Sequence, residues 1–259
     1  MKSEKKEEKV LENTKNLFDI AFKKERSESF RDIFREVYGD DYPEEANPDS
    51  FVTITDLQTI AKNLNVGPGK TFIDLGCGRG GSGLWIAREM GANYVGIDFS
   101  ENAIKQANHR SVDFKIEGTS IFQVGDMLSL DFPENSFDGA VSIDVILFLP
   151  DPQAAIKEAA RILRSKAFFV FTTWEHKKSQ VINDYRPFLR NAGFEIKTYI
   201  ETPDWKQRQR KVYEKTLELK KVLIKDMGRD GAFAWIMEAK TYLPTLNDVR
   251  RILAVAMKI

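Results

Sequence analysis

The sequence predicts an α/β protein in which helices cover both faces of a mostly parallel sheet. From residue 71 onward, short apolar runs alternate with amphipathic stretches, a pattern typical of parallel strands joined by helices. The chain has 259 residues, of which 42% are apolar, enough for one full core and an appended cap. Glycines cluster directly after the first apolar run, where a strand of this class turns into its helix.

The chain before residue 71 is predicted to be helical. Apolar residues spaced three and four apart indicate a helix over residues 4–37, and a second amphipathic stretch covers residues 53–64. Pro43 and Pro48 mark the break between them. The first nine residues mix both charge signs and lack the apolar core of a signal peptide.

Strands and helices are then predicted to alternate. The predicted strands are residues 71–75, 94–98, 121–124, 138–143, 167–173, 194–199 and 250–256. The predicted helices cover residues 84–90, 100–107, 151–163 and 181–192, with two more between residues 202 and 240. Asp151 followed by Pro152 is typical of a helix start, and Gly193 of a helix end. We expect the late helical pair, which flanks Gly228-Arg-Asp-Gly231, to cover a substrate.

The glycine-rich turn after the first strand is the strongest functional signal. Glycines occupy positions 76, 78, 80, 81 and 83. The helix that follows offers free N–H groups and a partial positive charge to an anion. Asp74, just before the turn, adds a fixed negative charge. A site with both signs suits a zwitterion better than a pyrophosphate.

Two interpretations of this turn are open from its residues. Gly76-Cys-Gly-Arg-Gly-Gly81 satisfies the dinucleotide fingerprint, and Asp98 lies where a ribose-binding acid is expected. Three features favour S-adenosylmethionine instead. Asp74 would repel a pyrophosphate, and Gly125-Asp-Met127 can bind adenine through a carboxylate and a backbone N–H. Asp144 places a further acid at the end of the fourth strand.

Together these motifs resemble the class I S-adenosylmethionine-dependent methyltransferases, and among them the bacterial small-molecule, natural-product type. The matching segments are Asp74-Leu-Gly-Cys-Gly-Arg-Gly80, Val95-Gly-Ile-Asp-Phe-Ser100, Val124-Gly-Asp-Met127, Phe137-Asp-Gly-Ala-Val141 and Arg161-Ile-Leu-Arg164. The resemblance implies a Rossmann-like seven-stranded sheet with an antiparallel last strand. It also implies in-line methyl transfer to an oxygen or nitrogen, or to an activated carbon, of a small metabolite, with S-adenosylhomocysteine as product.

The resemblance also implies which residues hold the cofactor. They are Asp74, Gly76, Gly78, Gly80, Asp98, Phe99, Asp126 and Met127. Gly76 and Gly78 are expected at the methionine end and Asp98 at the ribose hydroxyls. Asp126 and Met127 are expected at the adenine, with the Phe99 ring packed on its face.

The base that would accept a proton is less defined. Many relatives carry a histidine near the turn after the fourth strand, where this chain has Phe148. The candidates are His176, Glu175 and Asp144. A histidine at such a position is more often structural or solvated than catalytic, and Asp144 suits a scaffold as well as a base.

Aromatic residues dominate the candidate acceptor site. We expect Phe148, Trp174 and Tyr213 to bind substrate, although late aromatics such as Trp205 and Tyr242 could equally pack the late helical pair on the sheet. The basic stretch at residues 206–211 is short, is followed by Glu214 and Glu218, and is interpreted as a solvated helix face rather than a nucleic-acid contact.

The sequence suggests three parts. Residues 1–50 are interpreted as an N-terminal helical cap, residues 51–200 with 246–259 as the cofactor-binding domain, and residues 201–245 as a helical lid. With 39 basic and 39 acidic residues, no nucleic-acid or membrane partner is expected. We expect a cytoplasmic monomer or homodimer with no metal. The alternatives are an NAD-dependent oxidoreductase and a non-catalytic S-adenosylmethionine-binding scaffold or partner subunit.

Overall fold

The centre of the structure, a computed structural model that describes residues 18–23, 26–177 and 182–259, is a seven-stranded sheet. The strands are β1 (Thr71–Leu75), β2 (Asn93–Asp98), β3 (Ser120–Val124), β4 (Phe137–Ile143), β5 (Leu163–His176), β6 (Phe194–Glu201) and β7 (Val249–Lys258). Their order across the sheet is β3-β2-β1-β4-β5-β7-β6. The first five strands pair in parallel, whereas β7 runs antiparallel to β5 and β6. The predicted mostly parallel sheet and its antiparallel last strand are confirmed.

Helices cover both faces of this sheet and its carboxyl edge. The described helices are α1 (Glu28–Tyr38), α2 (Ile54–Leu64), α3 (Gly81–Met90), α4 (Glu101–Asp113), α5 (Pro152–Ile162), α6 (Arg186–Asn191), α7 (Trp205–Glu218) and α8 (Lys220–Tyr242). Short 3₁₀ turns cover Gly39–Asp41, Ile146–Phe148 and Leu243–Asp248. Ser27, Thr53, Ser100 and Asp151 each accept a backbone N–H at a helix start, which satisfies a donor that the helix itself leaves free.

Several boundaries differ from those expected. Much of the helix predicted over residues 4–37 lies outside the described residues, and its described part restarts at Ser27. β5 begins at Leu163, where a helix was expected to end, because Leu163 pairs with Phe137 before a shift in register. The late helices break after Glu218, and Gly228 then kinks α8 with a φ of 77°.

Three apolar clusters hold these layers together. On one face of the sheet, α5 and α6 pack on side chains such as Ile73, and on the other, α2, α3 and α4 pack on side chains such as Phe72. Neighbouring residues of β1 serve opposite faces because side chains alternate along a strand. A third cluster joins α1, α7 and α8. We call these three helices the cap.

The cap combines helices from two of the three predicted parts of the chain. α1 belongs to the expected N-terminal cap, and α7 and α8 belong to the expected lid, yet all three share one apolar cluster. The three-part division itself stays a prediction. Within the described part of the chain, no helix combines the length and the apolar character needed to cross a bilayer.

Candidate functional site

A cavity of about 420 Å³ lies between the carboxyl ends of β1 to β4 and the cap, a volume typical of small-molecule sites. We call its sheet side the floor, which includes Asp74, Gly76, Gly78, Asp98, Phe99, Asp126, Met127 and Asp144. We call its cap side the roof, which includes Phe51, Trp174, Ala234, Trp235, Met237, Glu238, Thr241 and Tyr242. The structure thus brings seven of the eight expected cofactor residues to one surface, all but Gly80.

The glycine turn is held tightly against β2. The N–H groups of Gly76 and Cys77 both donate to the carbonyl oxygen of Ile97, at 2.9 and 2.8 Å. Gly76 has a φ of 81°, and a Cβ built there would lie 2.6 Å from a methyl group of Val145. Only glycine fits this position without strain and a clash. Gly80 packs instead against α4 and β3, so its expected cofactor contact stays a prediction.

Asp74 is a buried carboxylate with one unused oxygen. Its side chain is 2% exposed, and the Tyr94 hydroxyl donates to its Oδ2 at 3.4 Å. Among the described residues, Oδ1 has no hydrogen-bond partner. Burial raises the pKa of Asp74 to about 7, although the Tyr94 bond acts in the opposite direction. A buried oxygen without a donor is costly, so this position favours a ligand that supplies a cation or a donor.

Asp98 is fixed by the turn that it faces. Its two oxygens accept the backbone N–H groups of Gly78 and Ser100, each at 2.9 Å. Burial raises the pKa of Asp98 to about 6, against the effect of these two bonds. A carboxylate has about four acceptor positions, so Asp98 can also accept from the hydroxyl groups of a ligand.

The end of the floor beyond Asp98 is flatter and more apolar. Phe99 and Met127 line it, and Asp126 accepts the N–H of Leu128 at 2.9 Å, which fixes the loop after β3. Phe18 covers this end, with its ring 6.4 Å from the Phe99 ring. An aromatic, planar ligand group fits between such surfaces.

A charged network closes the cavity beside the turn. Asp49 accepts from Arg79 at 2.6 Å and from Arg26 at 3.1 Å, and the Arg79 guanidinium lies 5.2 Å from the Phe22 ring centroid. Sequence reasoning missed this cluster. Its members are distant in sequence, and a lone Asp in a proline-containing loop carries no signal.

Asp144 holds the floor to the roof. It adopts a left-handed φ of 57° and accepts from Arg251 at 3.0 and 3.1 Å, from the Thr172 hydroxyl at 2.8 Å and from the N–H of Phe51 at 3.3 Å. Arg251 is fully buried and also pairs with Asp56 at 3.0 Å. Because these bonds occupy the carboxylate, the geometry favours the scaffold role. The role of Asp144 as a base stays a prediction.

Glu175 and His176 lie away from the cavity. Glu175 is 1% exposed and accepts from Arg250 at 2.5 Å, from the N–H of Tyr185 at 3.1 Å and from the Tyr199 hydroxyl. His176 shares with it a separate pocket, lined mainly by charged side chains. The structure does not bring either side chain to the floor or the roof, so it lends no support to their expected role as bases.

The three expected acceptor-binding aromatics separate into two groups. Phe148 and Trp174 line the cavity, but Tyr213 is buried behind the roof. The Tyr213 hydroxyl donates to Glu238 at 2.9 Å, and Glu238 lines the cavity. Burial raises the pKa of Glu238 to about 7. Sequence reasoning missed Glu238 because an acid on an amphipathic helix usually faces solvent. The aromatic and apolar residues just before it were the available signal.

Comparison with known proteins agrees with this geometry. Residues 73–171 match the family described as a methyltransferase domain. The sterol 24-C-methyltransferase of Yarrowia lipolytica is 29% identical over 159 residues, covering 61% of this chain and 41% of that protein. Methyltransferase GfsG of Streptomyces halstedii is 25% identical over 195 residues, covering 67% of this chain and 69% of that protein.

The fold is also that of solved methyltransferases. Phosphoethanolamine N-methyltransferase 2 of Haemonchus contortus, in complex with S-adenosyl-L-methionine, superposes with a TM-score of 0.69 at 19% identity. The match covers 87% of this chain and 56% of that one. The chain spans less than half the length of the Yarrowia lipolytica relative. Together the matches indicate a methyltransferase domain over residues 73–171, in agreement with the family that the sequence motifs resemble.

Proposed function

We propose that this chain is an S-adenosylmethionine-dependent methyltransferase that transfers a methyl group to a small organic acceptor bound under the cap. The observation that carries this proposal is the buried, half-satisfied carboxylate of Asp74 beside the glycine turn of a matched methyltransferase domain. An ammonium group next to Asp74 would stabilise its charged form, whereas a pyrophosphate would be repelled. This favours S-adenosylmethionine over a nicotinamide dinucleotide.

The floor residues fit the parts of this cofactor. Asp74 would hold the ammonium, since its free Oδ1 needs a donor. Asp98 would accept from the ribose hydroxyls, since its two backbone bonds leave acceptor positions open. The remaining assignments are Gly76 and Gly78 to the methionine end, and Phe99, Asp126 and Met127 to the adenine.

The chain's own contribution to the reaction is placement and exclusion of water. When bound, S-adenosylmethionine supplies a methyl group already activated by its sulfonium. The Phe18 ring lies 5.1 Å from the Phe148 ring, and this contact closes the cavity over the floor. Roof aromatics such as Trp174 and Trp235 desolvate the acceptor and fix its orientation, which is how such a displacement is accelerated.

We propose a moderately apolar acceptor, such as a natural-product intermediate. Support comes from the aromatic lining of the roof and from the similarity to the sterol 24-C-methyltransferase of Yarrowia lipolytica, whose name specifies an apolar acceptor. The proposal includes no nucleic-acid partner, because the formal net charge is zero and offers no long-range attraction to phosphates. It also includes a cytoplasmic location and a monomeric or homodimeric state.

Methyl transfer can be tested with isotope-labelled S-adenosylmethionine and a metabolite extract, with mass spectrometry of the labelled products. Calorimetry with S-adenosylhomocysteine is the companion measurement. Asp126→Ala and Gly78→Val should each abolish binding, whereas Asp131→Ala, at an exposed acid of the same loop, should bind normally. Unchanged affinity in the first two variants would overturn the assignment.

The same measurements separate the alternatives. Binding of the reduced nicotinamide dinucleotide without any heat from S-adenosylhomocysteine would indicate the oxidoreductase. Tight S-adenosylhomocysteine binding without methyl transfer to any acceptor would indicate the scaffold.

A further inference from the structure

Glu238 is an acid in the apolar part of the cavity. It projects from α8 among roof residues that are mainly aromatic or aliphatic, namely Phe51, Leu147, Trp174, Ala234, Trp235, Met237 and Tyr242. It accepts a hydrogen bond from a neutral donor, the Tyr213 hydroxyl, at 2.9 Å. A carboxylate in such surroundings is expensive to ionise unless a partner compensates it.

Other cavity acids already have such partners. Asp49 pairs with Arg79 and Arg26, Asp144 pairs with Arg251, and Asp98 accepts two backbone N–H groups. Within the described ranges, no lysine, arginine or histidine forms an ion pair with Glu238. In this respect Glu238 resembles Asp74, the acid that we assign to the cofactor's ammonium.

The charged and titratable groups that act on Glu238 come from several elements. Tyr213 faces it from α7, Arg26 acts on it from the segment before α1, Asp144 from the loop after β4, and Tyr242 lies on its own helix. Burial dominates these effects and raises the pKa of Glu238 to about 7. A cationic ligand would lower that pKa and stabilise the carboxylate.

We propose that Glu238 binds the ammonium group of an apolar amine acceptor and takes its proton, so that the reaction is an N-methylation. The inference rests on the proposed function and deepens it. An N–H bond of the ammonium breaks and an O–H bond forms on Glu238, while nitrogen keeps the electron pair. That pair then forms the N–CH₃ bond, and the cofactor's sulfur keeps the pair of the S–CH₃ bond that breaks.

The lining favours an amine over an anionic acceptor. Among the described lining residues, Arg79 is the arginine, and it pairs with Asp49. A carboxylate or phosphate on the acceptor would therefore meet the negative charge of Glu238. An ammonium would instead meet that charge and the Tyr242 ring, whose face also attracts cations; the Arg26 guanidinium already lies 4.6 Å from the centroid of the Trp235 ring.

Binding of a matched pair of probes tests the inference without any turnover. The chain saturated with S-adenosylhomocysteine is titrated by calorimetry at pH 8 with 4-phenylbutylamine and, separately, with 4-phenyl-1-butanol. We expect the amine to bind at least about tenfold more tightly than the alcohol, as a charge-assisted bond requires. Its advantage should shrink below pH 7, where free Glu238 takes up a proton.

Two variants, one at Glu238 and one at a control position, complete the experiment. Glu238→Gln keeps an oxygen for the Tyr213 hydroxyl and should lose the preference for the amine. Asp230→Asn changes an exposed acid of the same helix and should retain it. Equal affinity for the two probes in the wild-type chain, absence of binding of both included, would overturn the inference. So would an unchanged preference in Glu238→Gln. Failure of S-adenosylhomocysteine itself to bind would instead overturn the proposed function.

Discussion

The floor and the roof of the cavity present different kinds of chemical group. The floor comes from one stretch of chain, residues 74–144, and presents backbone N–H groups and carboxylates that the strand ends fix in place. The roof comes from segments far apart in sequence and presents aromatic side chains from α8, from β5 and from the segment before α2. Backbone geometry tolerates little change, whereas side-chain packing adapts. We therefore propose that the floor selects the cofactor and that the roof selects the acceptor.

The largest expected effect comes from removing Arg251, the buried cation that pairs with Asp144 between the floor and the roof. Arg251→Leu leaves Asp144 and Asp56 buried without their cation and should lower the free energy of unfolding by about 3–5 kcal/mol. Urea denaturation measures this loss. Arg186→Leu, which removes a surface ion pair with Asp184, is the control and should change little. Equal effects of the two variants would show that the buried link is unimportant.

Two glycines with similar φ angles sharpen the comparison. Gly228→Ala in the cap has open space around the added Cβ and should cost only backbone strain, about 1–3 kcal/mol. Gly76→Ala in the floor adds a clash with Val145 and should cost a further 1–3 kcal/mol or so, about the usual cost of overpacking. Denaturation midpoints of both variants check the order. A costlier substitution at Gly228 would contradict the account of the floor.

Two acids should separate the roles of floor and roof. Asp74→Asn should weaken S-adenosylhomocysteine binding about 10- to 100-fold, as loss of a charge-assisted bond predicts. It should not destabilise the free protein at pH 8, because it removes a carboxylate that is costly to ionise in its buried position. Glu238→Gln should leave cofactor affinity within about twofold, since distant sites act independently. Calorimetry measures both affinities. A larger loss of S-adenosylhomocysteine affinity in Glu238→Gln than in Asp74→Asn would reverse the two assignments.

The pH dependence of cofactor binding is a smaller effect with a definite sign. The pKa of Asp74 is raised to about 7, so its contribution to stability is present at low pH and is lost as pH rises through 7. An adjacent ammonium reverses this penalty, so binding should release protons and strengthen from pH 6 to 8, approaching about tenfold per unit at the acid end. Calorimetry in buffers of different ionisation enthalpy measures the protons. The profile of Asp74→Asn should be clearly shallower, with only the change due to Asp98 near pH 6 remaining. Equal pH dependence in the wild-type chain and in Asp74→Asn would contradict the assignment of the ammonium to Asp74.

Several residues that line the floor could be named from the sequence, whereas most residues of the roof could not, for physical reasons. Asp74, Gly76 and Asp98 are placed by local backbone geometry at strand ends, so their spacing carries the information. The hydrogen-bond donors to Asp144 belong to Thr172, Phe51 and Arg251, which are distant in sequence. Arg251 lies beside Asp144 because β7 inserts between β5 and β6. The spacing of these residues along the chain does not indicate that they are in contact.

The roof also shows that an aromatic residue in the sequence need not line the cavity. Tyr213 is predicted to bind the acceptor; the structure buries it behind the roof, where its hydroxyl donates to Glu238, and its contact with an acceptor stays a prediction. Its aromatic ring gave a signal, whereas the acid that lines the cavity looked like a solvated helix residue. His176 was expected at the site because β5 ends there, but the strand's last residues turn toward a separate pocket.

A crystal structure of the chain with S-adenosylhomocysteine tests the central claim most directly. We expect the ligand's ammonium within hydrogen-bond distance of Asp74, its ribose hydroxyls on Asp98 and its adenine between Phe99 and Met127. A ligand bound elsewhere, or one that places its amino-acid end away from Asp74, would contradict the account.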